Sequence, residues 1–117
     1  MIKVSVMYPN SPGVRFDHEY YREKHLPLIK SRMGAGLKYY TIDKGLTGVP
    51  PSAPALYVGM CHLMCESVEA YHSSMEPHGQ EIRGDIRNFT NVTPVTLISE
   101  VVVENSSRSA PREATSV

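Results

Sequence analysis

Residues 55–64, ALYVGMCHLM, constrain the fold more than any other stretch of the chain. Read with the two-residue period of a strand, Leu56, Val58 and Met60 point to one side and Tyr57, Cys61 and Leu63 to the other. Both sets are mostly apolar, and a strand apolar on both faces needs cover on both faces. The pattern predicts a central strand, in a sheet whose second face must also be buried against something.

The flanking sequence supplies helices for one face. Residues 2–8, IKVSVMY, alternate with period two and predict a first strand, followed by turn chemistry in PNSPG. Whether Ile2, Val4 and Val6 or Lys3, Ser5 and Met7 face the helices depends on a one-residue register left open at this level. Asp17 is placed to cap a helix, with Glu19 at the positive end of its dipole and Phe16 and Tyr21 spaced as a hydrophobic staple. Pro27 disfavours helical backbone at Leu26, so a kinked or broken helix is expected, ending at Gly34-Ala35-Gly36.

Residues 37–44 predict a second strand, 45–54 a Pro/Gly loop, and 55–64 the third strand. Ser67 caps a second helix, VEAYHSSM, and further helical turns follow through GQEIRGDIRNF, where Ile82 and Ile86 are one turn apart. Residues 92–103 predict the last strand. The order β-α-β-β-α-β is the ferredoxin-like pattern of the α+β class: a four-stranded antiparallel sheet with both helices on one face. The other face then lacks a layer, and a second subunit is the simplest supplier, so a homodimer is expected. The domain spans 1–103. The remaining residues, 104–117, are polar and aperiodic and are expected to be disordered.

Charge narrows the partners. Twelve basic and twelve acidic residues cancel, which argues against nucleic acid or an anionic membrane as a partner. No apolar run approaches the roughly 20 residues of a membrane span. MIKVSVMYP does not read as a signal peptide, so a cytoplasmic protein with free thiols at Cys61 and Cys65 is expected.

MIKVSVMYPNSPGVRFDHEYYREKHLPLI resembles the start of EthD family proteins, named for ethyl tert-butyl ether degradation, and GDIRNFTNVTPV continues the likeness. The specific parts are Tyr21, His25, Pro27 and Leu28, and the segment Asp85, Asn88, Phe89 and Thr90. The resemblance implies a dimeric α+β barrel, two ferredoxin-like units packed sheet to sheet. Wider relatives of that architecture include cofactor-free monooxygenases, isomerases, decarboxylases, dehydratases and haem-binding proteins, so it does not fix a reaction.

Asp17, Tyr21, His25 and Leu28 fall roughly on one helical face, which places His25 at the helix end with an imidazole suited to proton transfer near neutral pH. The alternative is a histidine that only assists the helix C-terminus. Tyr8 ends the first strand, where its phenol either donates to a substrate oxygen or simply reaches water. The expected catalytic set is His25, Tyr8 and Tyr21. Asp17, Leu28, Tyr40, His62 and Phe89 are expected to bind substrate. Cys61, His62 and Cys65 are not read as a metal site, because Cys61 and His62 point to opposite faces of a strand and structural zinc wants four ligands. No cofactor is expected.

Two functions fit. One is a small cofactor-free enzyme of organic-compound degradation, performing proton-transfer chemistry as an isomerase or lyase, or acting like a monooxygenase, on a small, partly apolar substrate. The other is a non-catalytic dimeric accessory protein that binds an apolar metabolite for a separate oxygenase. Haem binding is a third reading, open to test by a Soret band.

Overall fold

The computed structural model describes residues 1–50 and 52–107. Most of the expected disordered tail, 108–117, lies outside the described residues. Strands β1 (Ile2–Pro9), β2 (Tyr39–Lys44), β3 (Tyr57–Cys65) and β4 (Val95–Glu100) form one sheet in the order β2-β3-β1-β4, with every neighbouring pair antiparallel. Between β1 and β2 the chain runs through α1 (His18–Tyr20), a π-helical segment (Tyr21–His25), α2 (Leu26–Met33) and a 3-10 turn. Between β3 and β4 it forms α3 (Val68–Met75), α4 (Gly79–Asp85) and short 3-10 turns after each. The fold is the ferredoxin-like α+β arrangement. No helix among the described residues is long and apolar enough to cross a membrane.

The open register of β1 is resolved by its partners. Val4 stands opposite Leu63 and Ile98, and Ser5 opposite His62 and Leu97. Val4, Leu63, Cys61 and Cys65 are buried with the helix residues Leu26, Ile29, Met33 and Ile82. The set Ile2, Val4, Val6 and Tyr8 therefore faces the helices. On the other face, Leu97 (55%), Val95 (48%) and Tyr39 (48%) remain substantially exposed beside Met60 and Met64.

Three expectations about local structure are corrected. Pro27 does not break the first helix: Leu26 has helical backbone angles and Pro27 sits in the first turn of α2. The irregularity lies before the proline. The Leu26 N–H bonds to the Tyr21 carbonyl, five residues back, and this wider turn carries the helix past a residue that would otherwise clash one turn upstream. β4 is shorter than residues 92–103, because Pro94 has no N–H for the ladder and beyond Glu100 one backbone bond, Val101 N–H to the Met1 carbonyl, continues the pairing. Leu56 falls outside β3 and is exposed.

Gly34 ends α2 with φ +58°, a left-handed value that suits glycine, and its N–H bonds to the Lys30 carbonyl. Gly59, opposite Tyr8 in β3, carries the ring of Phe16, and a Cβ there would lie 2.7 Å from it. The loop holding Phe16 is tied in turn to the segment after α4. The Asp17 N–H bonds to the Phe89 carbonyl at 2.7 Å, Thr90 Oγ1 donates to the Arg15 carbonyl at 2.7 Å, and the Arg15 N–H donates to Asn91 Oδ1 at 2.9 Å. These contacts fix the end of α4 against the start of the first helix.

Candidate functional site

A cavity of about 640 Å³ lies between the sheet and the helices. Its deep walls are apolar and aromatic: Val6 and Tyr8 from β1, Tyr21 and Ile29 from the first helix, Cys61 and Leu63 from β3, Tyr71, Met75, Ile82 and Ile86 from the second helical segment. Thr90, Asn91 and Thr93 line it from the loop before β4, and Arg83 and Arg87 from α4 and the turn after it.

His25 lines this cavity and is almost fully buried, at 2% exposure. Its ring stacks on Tyr21 at a centroid distance of 5.6 Å and an interplanar angle of 15°, and touches Phe89 at 4.6 Å. Nδ1 lies 2.8 Å from Asp85 Oδ2. The other carboxylate oxygen, Oδ1, accepts from the Tyr20 hydroxyl at 2.7 Å and from Asn88 Nδ2 at 2.9 Å. With Asp85 as acceptor, Nδ1 carries the proton when the imidazole is neutral, and Nε2 is left as the free ring nitrogen of a residue that lines the cavity.

The charge states follow from the surroundings. Burial lowers the His25 pKa below the ordinary histidine value, against the upward pull of the Asp85 hydrogen bond and charge. Burial pushes Asp85 up, but the hydrogen bonds from His25, Asn88 and Tyr20 together outweigh it and hold the carboxyl below its usual range. Near neutral pH the pair is therefore a neutral imidazole backed by a carboxylate. That leaves a lone pair on Nε2, a base oriented by a carboxylate.

Tyr21 and Tyr8 form the wall beside it. Both phenols are raised well above the ordinary tyrosine value, chiefly by burial, so both stay protonated and able to donate. The Tyr21 hydroxyl is buried beside the Tyr8 phenol and the Cys61 thiol, and it is the one buried side-chain polar atom among the described residues without a well-formed hydrogen bond. The neighbouring Cys61 thiol is pushed up to about 11, chiefly by burial, so it is not a nucleophile here.

Of the residues read from the sequence as candidates, Tyr8, Tyr21 and His25 come together on the cavity. The other five do not line it. Asp17 is the helix N-cap, accepting from the Tyr20 N–H at 3.0 Å. Leu28 packs half-buried on the core beside the cavity, whose wall takes Ile29 instead. The π turn carries an extra residue, so the inward face runs Tyr21, His25, Ile29. Tyr40 is on the helix side of β2 but away from the cavity. Phe89 lies behind the lining, supporting Tyr8, Tyr21 and His25 edge to face or tilted. His62 points to the helix-free face, where Nδ1 is 2.8 Å from Ser5 Oγ and Nε2 is 3.1 Å from Asp43 Oδ2. Among the described residues no three His, Cys, Asp or Glu side chains converge in a way that could hold a metal ion.

Asp85 is the candidate site residue that sequence reasoning missed, although it belongs to the segment that carries the resemblance. Its spacing to Asn88, one helical turn, was the available signal. Nothing local joins it to His25, 60 residues away.

The model of the EthD domain matches residues 14–93. The crystal structure of an EthD-like protein from Ralstonia eutropha superposes with a TM-score of 0.87 at 51% identity, covering 92% of this chain and 96% of that one. An ethyl tert-butyl ether (EthD) family protein from Bacillus halodurans gives a TM-score of 0.66 at 21% identity, covering 86% and 97%. HapK from Hahella chejuensis gives 0.55 at 11% identity, covering 92% and 98%; these last two likenesses speak for the fold alone. No curated protein matches the chain.

Proposed function

The chain belongs to the EthD family, and from that premise we propose that it is a cofactor-free enzyme of organic-compound degradation whose His25–Asp85 pair moves a proton on a small, partly apolar substrate. The observation that carries this reading is the half-buried carboxylate behind a buried, cavity-lining histidine. Asp85 holds the Nδ1–H tautomer, and Nε2 removes a proton from a carbon or oxygen acid seated against Tyr8 and Leu63. The Tyr21 hydroxyl, which makes no well-formed hydrogen bond to the protein, donates to the oxygen on which negative charge develops. Isomerisation, dehydration or decarboxylation all fit such a pair, and so does deprotonation ahead of direct reaction with oxygen.

A non-catalytic binding protein would use the same apolar cavity. It would have no need of a carboxylate that fixes the imidazole tautomer, which is why the catalytic reading is preferred. The protein works in the cytoplasm as a homodimer, with Leu97, Val95 and Tyr39 of the helix-free face buried against a second copy. An obligate interface of this kind buries roughly 2,000 Å² or more in total.

Proton exchange tests the reading without a known product. In D2O, a panel of small lactones, phenols and 1,3-dicarbonyl compounds is followed by NMR for loss of exchangeable C–H signal. The native protein accelerates exchange on at least one class, and His25→Gln slows it by roughly 10²-fold or more. Exchange at the native rate in His25→Gln contradicts the proposal.

A further inference from the structure

Several polar groups around the cavity are already committed to the protein. His25 Nδ1 is held by Asp85, Thr90 Oγ1 donates to the Arg15 carbonyl, and Asn91 accepts from the Arg15 N–H and donates to the Gly13 carbonyl. Arg83 and Arg87 are different. They stand four residues apart, one helical turn, and both line the cavity. Neither takes part in a salt bridge or a side-chain hydrogen bond among the described residues. The nearby acids are spoken for: Glu81 forms a two-bond pair with Arg32, and Asp85 is used by His25, Tyr20 and Asn88.

Arg83 is not simply splayed into solvent. Its guanidinium folds back over Gly79, which also lines the cavity, so that a Cβ on Gly79 would sit 2.8 Å from Nη1. Its charge reaches the cavity wall. Burial, with the Cys65 and Cys61 thiols, pushes the Tyr71 phenol up, and Arg83 is the group that pulls it back down. The site thus combines an apolar, aromatic interior with two unpaired guanidinium groups on one edge, in a chain whose formal charge is zero.

We propose that this edge is an anion subsite: Arg83 and Arg87 hold the carboxylate of a substrate whose apolar or aromatic body fills the cavity against His25. The inference rests on the cavity reading above and adds a chemical class to it, an aromatic or alicyclic carboxylic acid. Guanidinium is suited to the role because its planar fork matches a carboxylate with paired bonds. The carboxylate end stays at the half-open edge, where its desolvation is small, while the carbon to be deprotonated lies inside.

The test uses two probes of equal shape, 1-naphthoate and its uncharged amide, 1-naphthamide, titrated into the full-length protein by calorimetry. The native protein binds naphthoate about tenfold or more tighter than naphthamide, the scale of hydrogen bonds to a charged group. Arg83→Gln/Arg87→Gln removes that preference and keeps the naphthamide affinity, and Arg83→Lys/Arg87→Lys keeps part of it. Because both arginines are exposed, the variants fold, as an unchanged Tm verifies. Equal binding of the two probes by the native protein overturns the anion subsite and leaves the cavity reading in place. A preference that survives the double glutamine variant also overturns it. Failure of both probes to bind at millimolar concentration removes the cavity reading, and the subsite with it.

Discussion

His25 Nδ1 and Asp85 Oδ2 meet at 2.8 Å between the π turn of the first helix and the end of α4. The contact joins the two helical segments beside the cavity, and it gives a buried histidine a partner that fixes its orientation. A buried imidazole with one nitrogen bonded to a carboxylate has only its second nitrogen to offer.

Removing the carboxylate should therefore change the histidine more than the fold. In Asp85→Asn, His25 loses the hydrogen bond and charge that raise its pKa, so the pKa moves further below the ordinary histidine value. The amide no longer enforces the Nδ1–H tautomer, and proton exchange on the panel slows by about 10²-fold. A two-dimensional ¹⁵N spectrum of the ring nitrogens reads the tautomer directly. An unchanged His25 pKa together with unchanged exchange would argue that Asp85 only packs.

Tyr21→Phe should separate stability from function. The native hydroxyl is fully buried without a well-formed hydrogen bond, a state that costs roughly 1–3 kcal/mol. Deleting it should raise the unfolding free energy by about 1 kcal/mol, measured by urea titration, while slowing proton exchange on the panel. A destabilised Tyr21→Phe would mean that the hydroxyl has a partner in solution.

Acid should weaken the protein through the same pair. His25 has a lowered pKa in the folded state, so between that value and about 6.5 the unfolded chain binds more protons. Stability from this group is complete above about 6.5 and is lost as pH falls through the folded pKa. Asp85, also lowered, adds stability above its unfolded pKa near 3.9 and loses it at still lower pH. Urea midpoints at a series of pH values should fall below about pH 6.5 in the native protein, and His25→Gln should remove the upper part of that fall. A flat native profile from pH 7 to pH 5 would contradict the assignment of a neutral, buried His25.

The helix-free face makes a separate prediction. Leu97→Asp places a charge where the exposed apolar surface is greatest on β4. Sedimentation should give the native protein twice the 13.0 kDa chain mass and the variant one chain mass. A native protein that sediments as a single chain at micromolar concentration would leave the doubly apolar β3 without its explanation.

What could be read from the sequence, and what could not, divides along physical lines. Strand and helix order follows from periodicity, and Tyr21 and His25 meet because four residues make a helical turn. The Leu28 and Ile29 exchange was hidden, since the π turn that shifts the inward face arises from how the chain accommodates Pro27 and leaves no periodic mark. The face of β1 hung on a one-residue register that only its pairing with Leu63 and Ile98 decides. Asp85 and the two arginines became a site through tertiary packing, to which local spacing is blind.

The state of His25 tests the account most directly. A pH titration followed through its ring ¹⁵N shifts should find the Nδ1–H tautomer near neutral pH and a pKa below 6.5, with Nε2 shifting when 1-naphthoate is added. An Nε2–H tautomer, or a pKa well above neutral, would mean that no base faces the cavity at neutral pH, and the proposed chemistry would fall with it.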